Sequence, residues 1–360
     1  MLKSRRRHSW LCCALGRNNI TTNPPSQNWK RILPGLLVSL VALAAVFSLV
    51  DFDQFVIAVQ QADLRFLGAS VLVSLLWLAV RGLVWRTLLQ EKATYRDVFL
   101  TLNEGYLLNN ILPFRLGEVG RAFLLGRKAN LDFWHVLPTI LIERALDLAL
   151  AVGIFLSALP FVVGVTWARQ AAMGTGIMVG AGLLSIYLLA RNRQRVVGWV
   201  ERAGGRWSIV QRFAGQRLAA FFDGLQILID LKRFLRALGW MGFNWLLGIA
   251  QYYMFLRVYF PQTEPLWAVF VLGCLALGVA APSSPGAVGV FEAALVGGLT
   301  VFDVEPSTAA AFALTTHVIG YLLTGLLGGY ALSRDGETLS SLYSRLGKMK
   351  TENQPPAMQP

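Results

Sequence analysis

The chain alternates long apolar segments with short polar linkers. Ile32–Val50 carries no charged residue, and about 20 residues of helix cross the hydrocarbon core of a bilayer. Segments of similar apolar character follow at Leu67–Leu89, Phe133–Val162, Ala172–Ala190, Ala237–Phe260, Leu266–Ala281 and Ser307–Leu332. The pattern predicts an all-α integral membrane protein, a polytopic helix bundle with about six to seven spanning helices.

Two segments with the spacing P-x3-G-x2-G interrupt this pattern. The first contains Pro113, Gly117 and Gly120, and the second contains Pro282, Pro285, Gly286 and Gly289. Both residue types break helices, and irregular backbone at membrane depth persists only where protein or water shields it. Paired breaks in two parts of a membrane protein are typical of a central substrate site. We therefore expect two re-entrant broken-helix elements, Leu112–Leu125 and Ala281–Leu295, that meet near the bilayer midplane.

Composition agrees with a membrane protein, and the charge distribution predicts its orientation. The chain is 55% hydrophobic and 15% charged, with a net charge of +13 and a mean hydropathy of +0.53. Basic residues concentrate in the 1–31 arm and in the 191–236 loop, whereas Asp51–Arg65 is acidic. Because Lys and Arg accumulate in cytoplasmic loops, we expect a multi-pass protein of the cell inner membrane with both termini cytoplasmic. The positive charge is thus explained without nucleic acid.

The organisation is that of one membrane domain, 32–332, between a basic cytoplasmic arm, 1–31, and a polar tail, 333–360. The 191–236 loop contains a basic amphipathic helix, which is suited to an anionic membrane surface. A loop helix packed on the bundle is an equally good interpretation. The sequence has no Walker A, dinucleotide-binding, H-E-x-x-H or G-x-S-x-G motif, and it contains only three histidines. We therefore expect no cofactor and no metal site.

Charged residues accompany both breaks and one apolar helix. They are Arg115, Glu118 and Arg121 in the first break, Glu143, Arg144 and Asp147 in Phe133–Val162, and Glu292 in the second break; Arg81 lies in the second span. A charge at the centre of a membrane helix costs about 2.5–3.5 kcal/mol, so it normally faces a partner or a cavity. We expect Arg115, Arg121 and Arg144 to form one cluster with the acids at 118, 143 and 147, and this cluster to line a cavity. The same cluster could also serve as an ion-pair network that holds the helices together.

Polar residues of the adjacent helices are secondary candidates. Asn109 and Asn110 precede the first break, and His317 and Tyr321 share a face of the last helix. For His317 an interhelical hydrogen bond is favoured over a proton relay or a headgroup contact.

Three ordered motifs resemble the flippase-like membrane domain family, the transmembrane part of lysylphosphatidylglycerol synthases and their stand-alone relatives. Pro113–Arg121 fits P-x-R-x-G-E-x-x-R, Glu143–Asp147 fits E-R-x-x-D, and Pro285–Glu292 fits P-G-G-x-G-x-x-E except at Ala287. The resemblance implies a bundle with re-entrant helices around a lipid-accessible cavity, which moves or holds a phospholipid or a lipid-linked headgroup. The aminoacyl-transfer activity of the synthases is not carried over, because their soluble domain has no counterpart here.

The resulting hypothesis is an inner-membrane lipid transporter or flippase-like protein. Arg115, Arg121 and Arg144 would hold a phosphate, since a guanidinium binds phosphate through two parallel hydrogen bonds. The acids Glu118, Glu143, Asp147 and Glu292 would orient the arginines, accept protons or bind a cationic headgroup. Two alternatives remain: a membrane transferase that uses a lipid-linked donor, and a non-transporting partner of a lipid-modifying enzyme. An enzymatic activity is the less favoured of these expectations.

Overall fold

The computed structural model describes residues 29–112, 115–164, 167–204, 216–280 and 283–336. In these ranges the regular structure consists of helices alone. The α-helices are α1 Trp29–Phe47, α2 Phe52–Gln60, α3 Leu64–Leu88, α4 Tyr95–Ile111, α5 Leu116–Lys128, α6 Phe133–Val162, α7 Ala168–Arg191, α8 Arg193–Gly204, α9 Gln216–Gly224, α10 Leu231–Tyr259, α11 Pro265–Gly278, α12 Val290–Leu299 and α13 Pro306–Arg334. Most of the N-terminal arm and of the polar tail, together with Pro113 and Pro282, lies outside these ranges.

Short polar side chains set the starts of several of these helices. Asp63, Thr94 and Asp132 precede α3, α4 and α6 with extended backbone, and each side chain accepts a hydrogen bond from an amide of the following turn. Such caps satisfy amides that have no partner within the helix and contribute about 1 kcal/mol each.

The helices confirm the predicted all-α membrane bundle. By length and composition four segments of the described chain can cross a bilayer: Leu64–Leu88, Phe133–Val162, Pro285–Phe302 and Pro306–Arg334. The pair Leu37–Phe47 and Phe52–Gln60, bent by 84°, makes a fifth if it is one span. The total is smaller than the expected six to seven. Part of the difference lies in α10, which has 29 residues but whose uncharged part contains the polar Asn244 and Gln251.

Both P-x3-G-x2-G motifs break helices, and each break joins two antiparallel helices. In the first hairpin, α4–α5, Gly117 lies against the carbonyl of Gly105, and Gly120 lies against Leu108. The second hairpin, α11–α12, brings Gly278 against Ala294 and Gly298 against Cys274. Although Pro285–Phe302 is apolar enough to span, its regular helix α12 has only 10 residues, about 15 Å of length, and packs back on α11 as the returning arm of a hairpin.

The two hairpins open toward opposite faces of the bundle. Helices α3 and α10 pack antiparallel, since Asn244 Nδ2 donates to the carbonyl of Trp77 at 2.9 Å and the amide of Asp63 donates to the carbonyl of Val258 at 3.1 Å. The end of α3, which leads into the first hairpin, therefore shares a face with the start of α10. The second hairpin follows the other end of α10 and so begins at the opposite face.

Two apolar clusters pack against the α3–α10 pair. One apolar cluster joins α10 to the second hairpin and α13 around Phe255, Leu256 and Phe312. Another joins α3 to α6 and α10 around Val84, Leu146 and Met241.

Charge divides these two faces. The basic face lies at linkers 89–94, 129–132 and 225–230 and at the end of α13, where Lys128 pairs with Asp335 and Arg236 pairs with Glu91. Most of its basic residues are on the adjoining helix ends: Arg86, Arg96, Arg127, Lys128, Lys232, Arg233, Arg236 and Arg334. The acidic face comprises segments 48–63, which includes α2, 260–264 and 300–305, and it contains Asp51, Asp53, Asp63, Glu264, Asp303 and Glu305. Partial burial raises the pKa of Glu305, but hydrogen bonds from Ser307 and Thr308 outweigh it and hold that pKa below its usual value. Glu305 therefore stays ionised at neutral pH.

Candidate functional site

A buried guanidinium joins α3 to α6 at the centre of the bundle. Arg81 Nη2 lies 2.6 Å from Glu143 Oε1, and Arg81 Nη1 lies 2.9 Å from Asp147 Oδ1. Glu143 and Asp147 are one helical turn apart, so one planar guanidinium bridges both. Arg81 is 2% exposed. It was recognised in the sequence only as an intramembrane charge, whereas the structure places it between the two carboxylates.

Two further arginines complete the shell around Glu143. Arg121 Nη2 donates to Glu143 Oε2 at 2.9 Å, and its guanidinium lies 4.0 Å from the centre of the Trp85 ring. Arg144 Nη2 lies 2.7 Å from Glu143 Oε1 and 3.0 Å from Asp147 Oδ2.

Glu118 lies at the edge of this shell, where its Oε1 is 3.7 Å from Arg144 Nε. We call these six residues, three arginines and three acids, the charge network: Arg81, Glu118, Arg121, Glu143, Arg144 and Asp147. Its formal charge is zero, which permits burial in an apolar bundle.

Arg115 occupies a different position from the other predicted arginines. It immediately precedes α5 in a left-handed conformation, φ 52° and ψ 37°. Its guanidinium donates to the carbonyl of Val279 in the second hairpin. Arg115 is therefore one of the points at which the two hairpins touch, and α4 also packs against residues 285–287.

Two adjacent cavities meet at this contact. The tip cavity, of about 560 Å³, is lined by Asn109, Asn110, Ser284, Gly286, His317, Tyr321 and Thr324, among others. The network cavity, of about 500 Å³, is lined by Arg81, Asp147, Trp245, Gln251 and Tyr252, among others. Both have the size of ordinary ligand pockets. Their shared wall contains Trp77, Tyr106, Arg115, Glu118, Arg144 and Val279.

The predicted arginines differ in their access to the cavities. Arg144 has 30% of its side chain exposed, and Arg115 is exposed at the first break. Arg121 is 1% exposed, enclosed by Glu143 and Trp85. Arg115 and Arg144 can therefore reach a ligand, whereas Arg121 is committed to the charge network.

The break in the second hairpin is shaped by close contacts with α1 and α13. Gly286 has φ 66°, and a Cβ there would lie 1.4 Å from the Tyr321 hydroxyl oxygen. The next residue, Ala287, has φ 59° although it is not glycine. The amide of Ser284 donates to Ser39 Oγ at 3.0 Å. The tip of this hairpin is therefore closely packed and conformationally strained.

Glu292 and His317 pair beneath this break. His317 Nδ1 lies 2.5 Å from Glu292 Oε1, and His317 Nε2 lies 3.1 Å from the carbonyl oxygen of Gly286. The amide of Gly289 donates to Glu292 Oε2 at 2.7 Å. Glu292 of the second hairpin thus pairs with His317 of α13 and is separate from the charge network.

The remaining candidates line the cavity or support its walls. Asn110 Nδ2 donates to Thr324 Oγ1 at 2.9 Å, which joins α4 to α13. Asn109 lines the tip cavity, and its Oδ1 is buried with no hydrogen-bond partner. Lys128 Nζ lies 2.8 Å from Oε2 of the buried Glu104, and this ion pair was not predicted. In the sequence, only the presence of a charged residue in the polar α4 pointed to it.

Comparison with known proteins identifies the family. The lysylphosphatidylglycerol synthase TM region matches residues 32–328. The chain belongs to this family. It is 19% identical to a UPF0104 membrane protein of Methanocaldococcus jannaschii, over 82% of this chain and 93% of that protein. It is 26% identical to a UPF0104 membrane protein of Methanothermobacter thermautotrophicus, over 81% of this chain and 90% of that protein. The resemblance drawn from the three motifs is thus confirmed.

A further relative carries a functional name. Glycosyltransferase AglD of Haloferax volcanii is 24% identical over 86% of this chain and 55% of that protein. No solved structure matches the chain. Membership of the family and the apolar helices make this a membrane protein.

Proposed function

We propose that this protein binds the phosphate-bearing headgroup of a phospholipid or lipid-linked substrate at the shared wall and moves it across the inner membrane. The observation that carries the proposal is the position of Arg115 and Arg144 on the wall between the two cavities. The charge network is neutral by itself, and Arg115 adds one positive charge beside it. An anionic headgroup would neutralise that excess in an environment where unpaired charge is costly.

The chemistry of the wall favours phosphate among anions. A guanidinium presents a planar fork of donors that matches phosphate oxygens, whereas a lysine provides only a point charge. Arg115 donates to a backbone carbonyl, which a phosphate oxygen could displace without breaking an ion pair. The side-chain amides of Asn109 and Asn110 supply further N–H donors in the tip cavity.

The arrangement of the hairpins supports movement in addition to binding. Each hairpin would block the path from one face, and the two meet at the contact between Arg115 and Val279 and where α4 packs on residues 285–287. A headgroup that replaces the Arg115 contact would weaken this junction and favour opening of the wall between the cavities. Broken helices commonly form the substrate site of transporters, around which parts of the protein rock to alternate access.

The experiment is a lipid-scrambling assay in liposomes that contain the purified protein and fluorescent phospholipid. We expect the wild-type chain to move lipid between leaflets, and we expect Arg115→Lys and Arg144→Lys to slow movement at least tenfold, about 1.4 kcal/mol. Arg65→Lys, at an exposed residue of the acidic face, is the matched control and should keep the wild-type rate. Wild-type rates in Arg115→Lys would overturn the phosphate role of Arg115.

The same liposomes test a second candidate function. The similarity to a protein named glycosyltransferase AglD favours a membrane transferase that uses a lipid-linked donor. Mass spectrometry of the lipids after incubation separates the two: a changed lipid mass would support transfer, and moved but unchanged lipid would support transport. Lipid that is neither moved nor changed would favour a non-transporting partner of a lipid-modifying enzyme. Lipids that co-purify with the protein identify the headgroup.

A further inference from the structure

Glu292 and His317 form a hydrogen-bonded chain at the break of the second hairpin. Glu292 Oε2 accepts from the amide of Gly289 at 2.7 Å, Glu292 Oε1 faces His317 Nδ1 at 2.5 Å, and His317 Nε2 faces the carbonyl of Gly286 at 3.1 Å. Both residues are buried, with Glu292 7% and His317 8% exposed. The His317 ring also stacks on Phe291 with ring centres 4.0 Å apart, which fixes its plane.

These contacts determine how many protons the pair holds. A carbonyl oxygen only accepts, so Nε2 of His317 carries a proton. The short contact between Nδ1 and Oε1 requires a second proton, whether it belongs to an imidazolium or to a carboxylic acid. The pair is then neutral overall. Without that proton two lone pairs would face each other at 2.5 Å beside a net negative charge, and the contact would open.

Opening this contact would release the hairpin tip. The pair connects α13 to the carbonyl of Gly286 and the amide of Gly289, and these two residues and Ala287 are positive-φ residues of the break. The other titratable or charged groups that face this region are Tyr321, whose ring centre lies 4.7 Å from that of His317, and four residues across the tip cavity: Arg115, Glu118, Arg121 and Arg144. From α1, the atoms nearest the tip belong to Ser39 and Leu43, which do not titrate.

We propose that Glu292 and His317 form a proton-binding site and that its loading and unloading couple proton movement to the movement of substrate through the tip cavity. The coupling rests on the proposed function, whereas the proton site itself does not. One proton binds between Nδ1 and Oε1 and holds the second hairpin against α13. Its release leaves an ionised Glu292 and a neutral imidazole, and the tip moves away. The substrate is thereby driven by a proton gradient.

A titration of the purified full-length protein in weakly buffered detergent tests the site without reference to transport. Acidification from alkaline to mildly acidic pH should load one more proton per chain in the wild type than in the double variant Glu292→Gln, His317→Gln. Glutamine retains the size of the glutamate and can still accept from the amide of Gly289. Equal proton uptake by the wild type and by a double variant that elutes as a folded protein would overturn the proton site.

The coupling is tested in liposomes with a pH difference across the membrane. We expect the wild type to move fluorescent phospholipid at least tenfold faster with the gradient in one direction than without it. Glu292→Gln and His317→Gln should give equal rates with and without the gradient, and Glu264→Gln, an exposed acid of the acidic face, should respond like the wild type. Gradient-independent lipid movement by the wild type would overturn the coupling and leave the proposed function standing. Absence of any lipid movement would overturn the proposed function, while the titration still decides the proton site.

Discussion

Glu143 is surrounded by three guanidinium groups and is fully buried. A carboxylate in an apolar interior loses several kcal/mol of hydration, which a single partner rarely restores. Arg81, Arg121 and Arg144 together occupy both of its oxygens, and Asp147 and Glu118 balance the added positive charge. The stability of the network therefore depends on its total charge as well as on each contact.

Removal of Arg81 should be the most damaging single change in the network. Arg81→Ala leaves Glu143 and Asp147 buried with one cation too few, so we expect a loss of about 3–5 kcal/mol and a lower unfolding temperature in detergent. Arg65→Ala, at an exposed residue of the same helix, should unfold like the wild type. Asp147→Asn in the Arg81→Ala background restores neutrality and should recover part of the loss. If the double variant were no more stable than Arg81→Ala, charge balance would not be the cause.

Five residues of the charge network were predictable because charged residues in apolar segments need partners. The spacing of Glu143 and Asp147 also placed both on one helix face. The central role of Arg81 was not predictable, because it depends on the register between helices whose paired residues are 62 positions apart. The separation of Arg115 from the network, and its contact with Val279, likewise depend on how two hairpins meet.

At the level of elements, the first hairpin depends on the close approach of two helices at glycine. A Cβ on Gly117 would lie 2.1 Å from the carbonyl oxygen of Gly105 and 2.5 Å from Asn109 Oδ1. A helix ends and another begins at the first motif, but Gly117 and Gly120, which were predicted to break the helix, lie inside α5 and serve its close packing on α4. The composition of Pro285–Phe302 is also that of a span, so apolar character alone does not identify a returning arm.

Gly117→Ala should therefore disrupt the hairpin, because the obstructing atom belongs to backbone and cannot rotate away. We expect a destabilisation of about 1–3 kcal/mol or more, measured as a lower unfolding temperature by fluorescence-detected size exclusion. Gly153→Ala on α6 is the matched control, because a Cβ there meets no atom within 4 Å. Equal unfolding temperatures for the two variants would mean that α4 and α5 are less tightly packed than the structure shows.

The whole molecule combines two hairpins that open to opposite faces with an unequal distribution of charge between those faces. The sequence predicted the membrane bundle from its apolar segments and the uneven charge from the placement of Lys and Arg. Length and hydropathy identify four or five spans in the described residues, and composition does not distinguish a hairpin arm from a spanning helix. The division into a basic and an acidic face required the antiparallel packing of α3 and α10.

The basic face should be cytoplasmic, since Lys and Arg are retained on that side during insertion. Single cysteines at Gln61 on the acidic face and Lys232 on the basic face, both exposed, can be introduced after Cys12, Cys13 and Cys274 are replaced by serine or alanine. In spheroplasts a membrane-impermeant maleimide should label Gln61→Cys at once and Lys232→Cys only after the membrane is disrupted, and disruption should label both variants equally. The reverse pattern would invert the proposed orientation, and with it the face from which the second hairpin and the Glu292–His317 pair are reached. Labelling of both positions in intact spheroplasts would contradict the assignment of these residues to opposite faces.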